Sequence, residues 1–246
     1  MKSIYFLSDV HLAIHEDELE KQKRERLLHF LGYLVEQGET ESLYILGDLF
    51  DFWFEWYHAI PKYWFPILNA LKKLADLGVN VYLIPGNHDF VVSGYLENDI
   101  GITRLPEFSQ FVAGGKRFYV GHGDGLAKRD GGYRLLKRII RSPVSIFLFR
   151  TFISADLGIQ IAKWVSRSSR ELRQVDRSAW NEEYFAFAQR KFSEGFDFVL
   201  LGHIHQPLER EENGKKYINC GDWLREYTYA CFDGINLRLH KWDDNP

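Results

Sequence analysis

Aspartate, histidine and asparagine recur in five short clusters: Asp9-Val10-His11, Gly47-Asp48-Leu49-Phe50-Asp51, Gly86-Asn87-His88-Asp89, Gly121-His122-Gly123-Asp124 and Gly202-His203-Ile204-His205. Each stands at or just beyond the end of a short apolar run, which is where open α/β sheets place their chemistry. Carboxylate oxygens, imidazole nitrogens and an amide carbonyl, without cysteine, form a mixed nitrogen and oxygen donor set. That set suits Mn²⁺, Fe or Zn²⁺ better than the all-oxygen cages of Mg²⁺ or Ca²⁺. Asp9, His11, Asp48, Asn87, His122, His203 and His205 together exceed the needs of one ion, so a two-metal centre with a shared carboxylate is the natural reading. Two such ions a few ångströms apart activate a water and neutralise both oxygens of a displacement at phosphorus.

The elements that must carry these residues follow from the hydrophobic pattern. Ile4 to Leu7, Leu43 to Leu46, Val79 to Ile84 and Phe198 to Leu201 are continuous apolar runs of the kind found in strands covered on both faces. In an extended segment residues two apart point the same way, so Asp9 and His11 can reach one ion. His15 to Gln37 has apolar residues near helical spacing and ends at Gly38; Pro66 to Leu77 reads as a second helix, closed by Gly78. Gln110 to Val112 and Arg117 to Val120 flank a Gly114-Gly115 turn, and Asn213-Gly214 and Asp233-Gly234 mark two closing hairpins. Parallel strands early and hairpins late give two layers of sheet flanked by helices.

Phe50 to Phe65 is unusually aromatic, and its first reading is core packing beneath a loop, with the lining of a ring-bearing or apolar substrate site as the second. From Lys128 to Arg173 there are eleven Lys/Arg against three Asp/Glu, in a chain whose net charge is −3, so the remainder is acidic. This stretch carries no strand pattern; its apolar residues alternate with basic ones, predicting two to four short helices interrupted near Pro143 and Ser154, with Pro143 suited to a first turn. A returning helix follows over Asp176 to Glu194. The histidines His15, His29, His58 and His240 are assigned nothing.

The five clusters, in this order, resemble the blocks of calcineurin-like metallophosphoesterases. The resemblance spans nearly the whole chain. It implies an α/β fold of two mixed β-sheets packed as a sandwich and flanked by helices, in one domain over 1–246 with a helical cap inserted at about 128–173. It further implies that Asp9, His11, Asp48 and His205 hold one metal and that Asp48, Asn87, His122 and His203 hold the other, Asp48 bridging. His88 would then stabilise or protonate the departing oxygen, oriented by Asp89, and Asp51 would support the ligands from behind. The catalytic set is thus His88, Asn87 and Asp89, and the metals are two divalent ions, with Mn²⁺ first and Fe or Zn²⁺ next.

Within that family the basic, apolar insertion is similar to the cap of UDP-2,3-diacylglucosamine pyrophosphatases, lipid A pathway enzymes that yield UMP and a lipid sugar phosphate. The local matches are His122-Gly123-Asp124 leading to Asp130 and Tyr133, the cap sequence Arg167-Ser168-Ser169, and Gly221-Asp222-Trp223. Asp130, Tyr133, Trp164, Arg167, Ser168, Ser169 and Arg170 are the expected substrate contacts. One position departs: the best-known form of that enzyme carries Arg where this chain has His88. A helical lid can form an apolar slot for two acyl chains, while its Arg and Lys hold a diphosphate or lie against anionic headgroups.

Other function classes are weighed against this one. Another phosphodiester substrate (nucleotide, nucleic acid or phospholipid) stays open, although the apolar content of the insertion argues against nucleic acid as partner. A non-catalytic membrane-docking scaffold should have lost metal ligands, and none is lost here. Cys220 and Cys231 show no C-x-x-C spacing, so reduced thiols are expected. Without a signal-peptide pattern or an apolar run of roughly 18 residues, the expected location is cytoplasmic, with peripheral contact to the inner face of the cytoplasmic membrane.

Overall fold

Parallel strands explain the continuous apolar runs, because the strands that carry them lie inside two sheets covered on both faces. A computed structural model describes residues 2–15, 17–91, 94–126, 139–161, 163 and 177–243. Strands β1 (Ser3–Leu7), β2 (Thr40–Ile45), β4 (Asn80–Leu83) and β6 (Ile102–Arg104) pair in parallel, and β12 (Thr228–Phe232) and β13 (Leu237–Lys241) extend the same sheet antiparallel in the order β13-β12-β1-β2-β4-β6. The second sheet runs β10-β11-β9-β8-β7, built from β7 (Phe108–Ala113), β8 (Lys116–Gly121), β9 (Phe198–Leu201), β10 (Leu208–Glu212) and β11 (Lys215–Asn219). There β8, β9 and β11 are parallel, while β7 and β10 are antiparallel to their neighbours. Both sheets are mixed, as expected.

The alternation along β1 sorts the layers. Ile4 and Phe6 face Phe118, Val120, Phe198 and Leu200 of the other sheet, and the rings of Phe6 and Phe118 lie 6.0 Å apart. Tyr5 and Leu7 turn outward onto α1 (Glu18–Gln37) and α2 (Phe65–Asp76), meeting Leu27, Phe30, Leu31, Leu68 and Leu71. The outer face of the second sheet is covered by the Arg177–Ser193 helix through Tyr184, Ala188 and Phe192. The order is therefore helix, sheet, sheet, helix.

Local chemistry sets the boundaries. Helix α1 begins at Glu18, not His15, because the Asp17 side chain caps it, accepting from the Glu20 N–H at 2.8 Å; Gly38 ends it at φ 63°. The charged side of that helix is not all solvated. Glu20, Lys23 and Arg24 are buried, where Glu20 accepts from the Ala13 N–H at 3.0 Å and Lys23 donates to the His11 carbonyl at 2.5 Å. They satisfy the backbone of the loop behind His11, so charge in the sequence served an internal purpose. Asn213-Gly214 forms a two-residue hairpin with both residues at positive φ, whereas the Asp233-Gly234 hairpin closes over four residues, Asp233 accepting from the Ile235 and Asn236 N–H groups.

The aromatic segment divides. Phe50, Trp53 and Trp64 are fully buried against one another, with the Phe50 and Trp53 rings 4.4 Å apart, and β3 (Trp53–Phe54) pairs with β5 (Asp89–Val91) in a two-stranded sheet that the pattern did not predict. Tyr57 and Phe65 are exposed. Within 128–173, Pro143–Phe152 is a helix capped by Ser142, and it is followed by Ala155–Ile161 at a bend of 118°. Phe149 packs on Phe54 with rings 4.7 Å apart, and the Trp56 indole donates to the Ile153 carbonyl at 2.9 Å. Val144, Phe147, Leu148, Phe152 and Leu157 stay exposed. Among the described residues no single helix is long and apolar enough to cross a membrane.

Phe118 sits at the junction of the two sheets, touching Phe6, Phe111, Phe198 and Phe232. Phe118→Ala is expected to cost about 3–5 kcal/mol of stability, read as a lower urea midpoint with an unchanged slope.

Candidate metal centre

Asp9 lies just past β1, Asp48 past β2, Asn87 past β4, His122 past β8, and His203 and His205 past β9. The two sheets bring these ends to one rim. Asp9, Asp48 and His122 have no exposure at all, His11 and His88 are buried, and Asn87, His203 and His205 are half-buried. The backbone bends sharply to present them. Asp9, His11, Asp48, His203 and His205 all have φ between 48° and 72°, a region costing non-glycine residues on the order of 1–3 kcal/mol each. The glycines preceding Asp48 and Asn87 permit the close approach. A Cβ on Gly86 would lie 2.3 Å from Asp48 Oδ1, and one on Gly47, at φ 88°, would lie 2.5 Å from His122 Nδ1.

One carboxylate oxygen of each aspartate is used by the backbone: Asp9 Oδ2 accepts from the His203 N–H and Asp48 Oδ1 from the His88 N–H, each at 2.8 Å. The other two, Asp9 Oδ1 and Asp48 Oδ2, are buried without a hydrogen-bond partner. Imidazole nitrogens surround them. His205 Nε2 is 3.4 Å and His11 Nε2 3.7 Å from Asp9 Oδ1; His122 Nε2 is 3.3 Å and His11 Nε2 3.6 Å from Asp48 Oδ2. Asn87 Oδ1 is 3.2 Å and His203 Nδ1 3.3 Å from His122 Nε2. Buried oxygens with no donor, ringed by nitrogen lone pairs, fit divalent cations and fit little else. All the predicted metal residues are thus gathered, in two groups that share Asp48.

The rings are held from behind, and here the sequence reading was incomplete. His122 Nδ1 donates to the Leu46 carbonyl at 2.8 Å; His11 Nδ1 lies 3.3 Å from Asp51 Oδ1, and His205 Nδ1 3.3 Å from Asp222 Oδ2. Each bond leaves Nε2 for the cluster, as metal-binding histidines require. Asp222 is itself fixed by the N–H groups of Leu224, Arg225 and Glu226, all accepted at Oδ1. Trp180 stacks on His203 with ring centroids 5.8 Å apart. The Asp222 signal lay only in the Gly221-Asp222-Trp223 match, and nothing in the pattern pointed to Trp180.

His88 differs from the expectation in one respect. Its Nδ1 donates to the Asp51 carbonyl at 2.7 Å, while the Asp89 carboxylate accepts from the Gly86 and Phe50 N–H groups at 3.1 and 3.4 Å. Asp89 therefore shapes the loop and does not touch the ring; Asp51 orients both His11 and His88. The ring of His88 stands edge-on to that of His11 at 4.8 Å, and a ligand atom of His88 lies within 4.8 Å of ones on His11 and Asp48. Arg141, from the insertion, donates to the carbonyls of Gly86 and Asp89 and braces the same loop. Asp130, Tyr133, Trp164, Arg167, Ser168, Ser169 and Arg170 lie outside the described residues.

Charge is distributed unevenly over the cluster. Burial opposes a charge on His11 and His122, yet the carboxylates beside them outweigh it: Asp51 and Asp9 push His11 up to about 9, and Asp48 pushes His122 up to about 10. Burial and the charge of His122 hold His203 down at about 3. Burial would also raise Asp9 and Asp48, but the imidazoles around them, His205 foremost for Asp9 and His122 for Asp48, hold both well below the usual carboxylate range. Burial and the neighbouring Asp48 raise Asp89 to about 6. Burial, opposed by Asp48, lowers His88.

Residues 2–207 match the family model described as calcineurin-like phosphoesterase. Relatives called UDP-2,3-diacylglucosamine hydrolase include those of Porphyromonas gingivalis, 29% identical over 98% of each chain, and Neisseria gonorrhoeae, 31% identical over 93% of this chain and 92% of the relative. That of Pseudomonas paraeruginosa is 31% identical over 91% of this chain and 92% of its own. A solved structure of a hypothetical protein from Pyrococcus horikoshii superposes with a TM-score of 0.50 at 14% identity, covering 98% of this chain and 88% of that one.

The raised His11 and His122 make metal uptake a competition with protons. Calorimetric titration with Mn²⁺ at pH 7.5 should release protons, and apparent affinity should rise with pH. In the metal-free protein both rings bind their proton more tightly folded than unfolded. The stability they contribute is therefore complete below the unfolded value near 6.5 and lost as pH rises through about 9 to 10. Thermal scans of the metal-free protein should show Tm falling over that window.

Proposed function

This chain belongs to the calcineurin-like phosphoesterase family, and from that premise we propose that it is a two-metal hydrolase that cuts the diphosphate of UDP-2,3-diacylglucosamine into UMP and 2,3-diacylglucosamine 1-phosphate. The observation that carries the reaction class is the pair of buried, donor-less oxygens on Asp9 and Asp48 inside a ring of imidazoles. The substrate rests on the relatives' shared activity over nearly full length and on the apolar insertion beside the site.

Asp9, His11, Asp48 and His205 would hold one divalent ion, and Asp48, Asn87, His122 and His203 the other, four donors each of mixed nitrogen and oxygen type, with Mn²⁺ first and Fe or Zn²⁺ next. Bound there, the ions supply the Lewis acidity that makes a water nucleophilic and neutralises oxygens on phosphorus. Asp48 stands between the two groups, its Oδ2 within 3.6 Å of His11 Nε2 and 3.3 Å of His122 Nε2, and would be shared by both ions. The water's oxygen adds to the phosphorus of the UMP half, the bond to the bridging oxygen breaks, and the sugar phosphate leaves with that oxygen. Nδ1 of His88 is committed to the Asp51 carbonyl, an acceptor, so Nε2 is the atom that meets the departing oxygen, donating when the ring is protonated. Asn87 presents its amide from the same loop and adds to the charge stabilisation. His88 keeps the general phosphoesterase residue where the best-known lipid enzyme has Arg, so this chain places an imidazole, whose burial disfavours its charge, where that enzyme has a permanent cation.

The whole chain reads as one domain carrying an inserted cap. The exposed Val144, Phe147, Leu148 and Phe152 would suit acyl chains and the surface of a membrane, and they support a working position at the inner face of the cytoplasmic membrane.

Purified, Mn²⁺-loaded protein incubated with UDP-2,3-diacylglucosamine should give UMP and the sugar phosphate by mass measurement. Asp48→Ala should abolish this together with metal, and His88→Ala should lower kcat by about 10²–10⁴ with metal content kept. Hydrolysis of bis(p-nitrophenyl) phosphate without any UMP from the glycolipid would redirect the assignment to another phosphodiester. Phe147→Ser combined with Phe152→Ser should weaken co-sedimentation with anionic vesicles and raise KM for the acylated substrate. Equal vesicle binding by that variant and the parent would remove the membrane role.

A further inference from the structure

Asp9 and His11 follow β1 and Asp48 follows β2, in the first sheet, whereas His205 follows β9, in the second. The four residues converge all the same: Nε2 of His205 lies 3.3 Å from Nε2 of His11 and 3.4 Å from Asp9 Oδ1. Something must hold one sheet against the other at that point. Between β11 and β12 the chain passes from the second sheet to the first, and it is pinned to both. Asn219 donates from Nδ2 to the Gly202 carbonyl at 2.7 Å, just before His203. The Trp223 N–H donates to the Asp9 carbonyl at 3.1 Å, and the Ser8 hydroxyl to the Gly221 carbonyl at 3.3 Å. Asp222 stands between these pins and is buried. Its Oδ1 accepts from the N–H groups of Leu224, Arg225 and Glu226 at 3.0, 2.9 and 3.1 Å, and its Oδ2 is 3.3 Å from His205 Nδ1.

We infer that Asp222 is a positioning residue that fixes the tautomer of His205 and thereby governs the one ion that His205 holds. The inference rests on the reading that this centre binds two divalent ions. A carboxylate only accepts, so the proton of the neutral ring sits on Nδ1, and the lone pair falls on Nε2, the atom that faces Asp9 and His11. The three N–H groups on Oδ1 keep the carboxylate from turning away. An asparagine amide has the same shape and cannot do both tasks. With its oxygen on the three N–H groups it presents its own N–H to Nδ1, and the ring proton must move to Nε2, where a metal needs a lone pair. With the amide reversed, the turn loses its acceptor. Because the contact is with His205, the ion held through Asn87, His122 and His203 keeps its ligands as they were.

Calorimetric titration of the metal-free protein with Mn²⁺ reads the ions directly. The parent should take up two. Asp222→Asn should leave one at the parental affinity and weaken the other by about 10–100-fold. Asp222→Ser, which cannot reach the ring but still offers an oxygen to the turn, should repeat that loss. Asn87→Ala should weaken the other ion, so the Asp222→Asn, Asn87→Ala double variant should hold neither at the parental affinity; one ion still held as tightly as in the parent would overturn the inference. Thr228→Val removes the hydroxyl that donates to the Cys220 carbonyl in the same stretch and should leave both ions as they are. An equal loss in Thr228→Val would overturn the inference, as would a loss in Asp222→Asn that is absent or shared by both ions, and in each case the two-metal reading would stand. A parent that binds no Mn²⁺, or only one ion, would sink that reading and the inference with it.

Discussion

Asp9 and Asp48 have no solvent exposure, and each keeps one oxygen that no hydrogen bond satisfies and that only imidazole nitrogens approach. Two carboxylates in this position repel each other and have lost hydration, so the folded chain must supply positive charge at that point. In the protein alone the charge is borrowed: His11 and His122 take protons more tightly than free imidazole does. Divalent ions replace those protons with a larger charge at the same place. The rest of the architecture can be understood as the means of holding this otherwise unfavourable cluster together.

The cost is visible in the backbone. Five of the cluster's residues lie in the left-handed region, and glycines at positions 47 and 86 let neighbouring loops approach to distances that a side chain would forbid. Such strain persists only where the surroundings over-determine it. Here the determination comes from sheets covered on both faces, from the buried Glu20, Lys23 and Arg24 that satisfy the loop behind His11, and from carbonyls and carboxylates that fix each imidazole by its rear nitrogen. Rigidity in the two layers is what allows a tense rim.

Much of this was legible because its causes are local. A continuous apolar run announces a doubly covered strand, and a glycine followed by Asp, Asn or His at its end announces a turn that presents a polar side chain; β2, β4 and β9 could be found that way, β1 by its run alone and β8 by the turn before it. The supporting role of Asp51 followed from the family resemblance, and its carboxylate does lie behind His11. Asp89 was misread as the partner of the His88 ring because adjacency in sequence says nothing of which way a carboxylate turns. Here it turned to the Gly86 and Phe50 amides. Strand β6 and the pair β3 and β5 are only two or three residues long, too short for a period to register. Trp180 reaches His203 across a distance in sequence that no pattern spans.

The rim also separates what the chain does from what it acts on. The ligands come from the ends of β1, β2, β4, β8 and β9, elements that cannot move without losing the core. The groups around them come from looser parts: the aromatic stretch after Asp51 and the insertion after β8. Arg141 joins the two, since it leaves the insertion to grip the carbonyls on either side of Asn87 and His88. The stretch after β8 thereby touches the loop that carries Asn87 and His88. Because that contact is to backbone carbonyls, it constrains the position of His88 whatever side chain stands there. The course of this loop is thus held by Arg141 and Asp89 through backbone groups and not through the side chain at position 88.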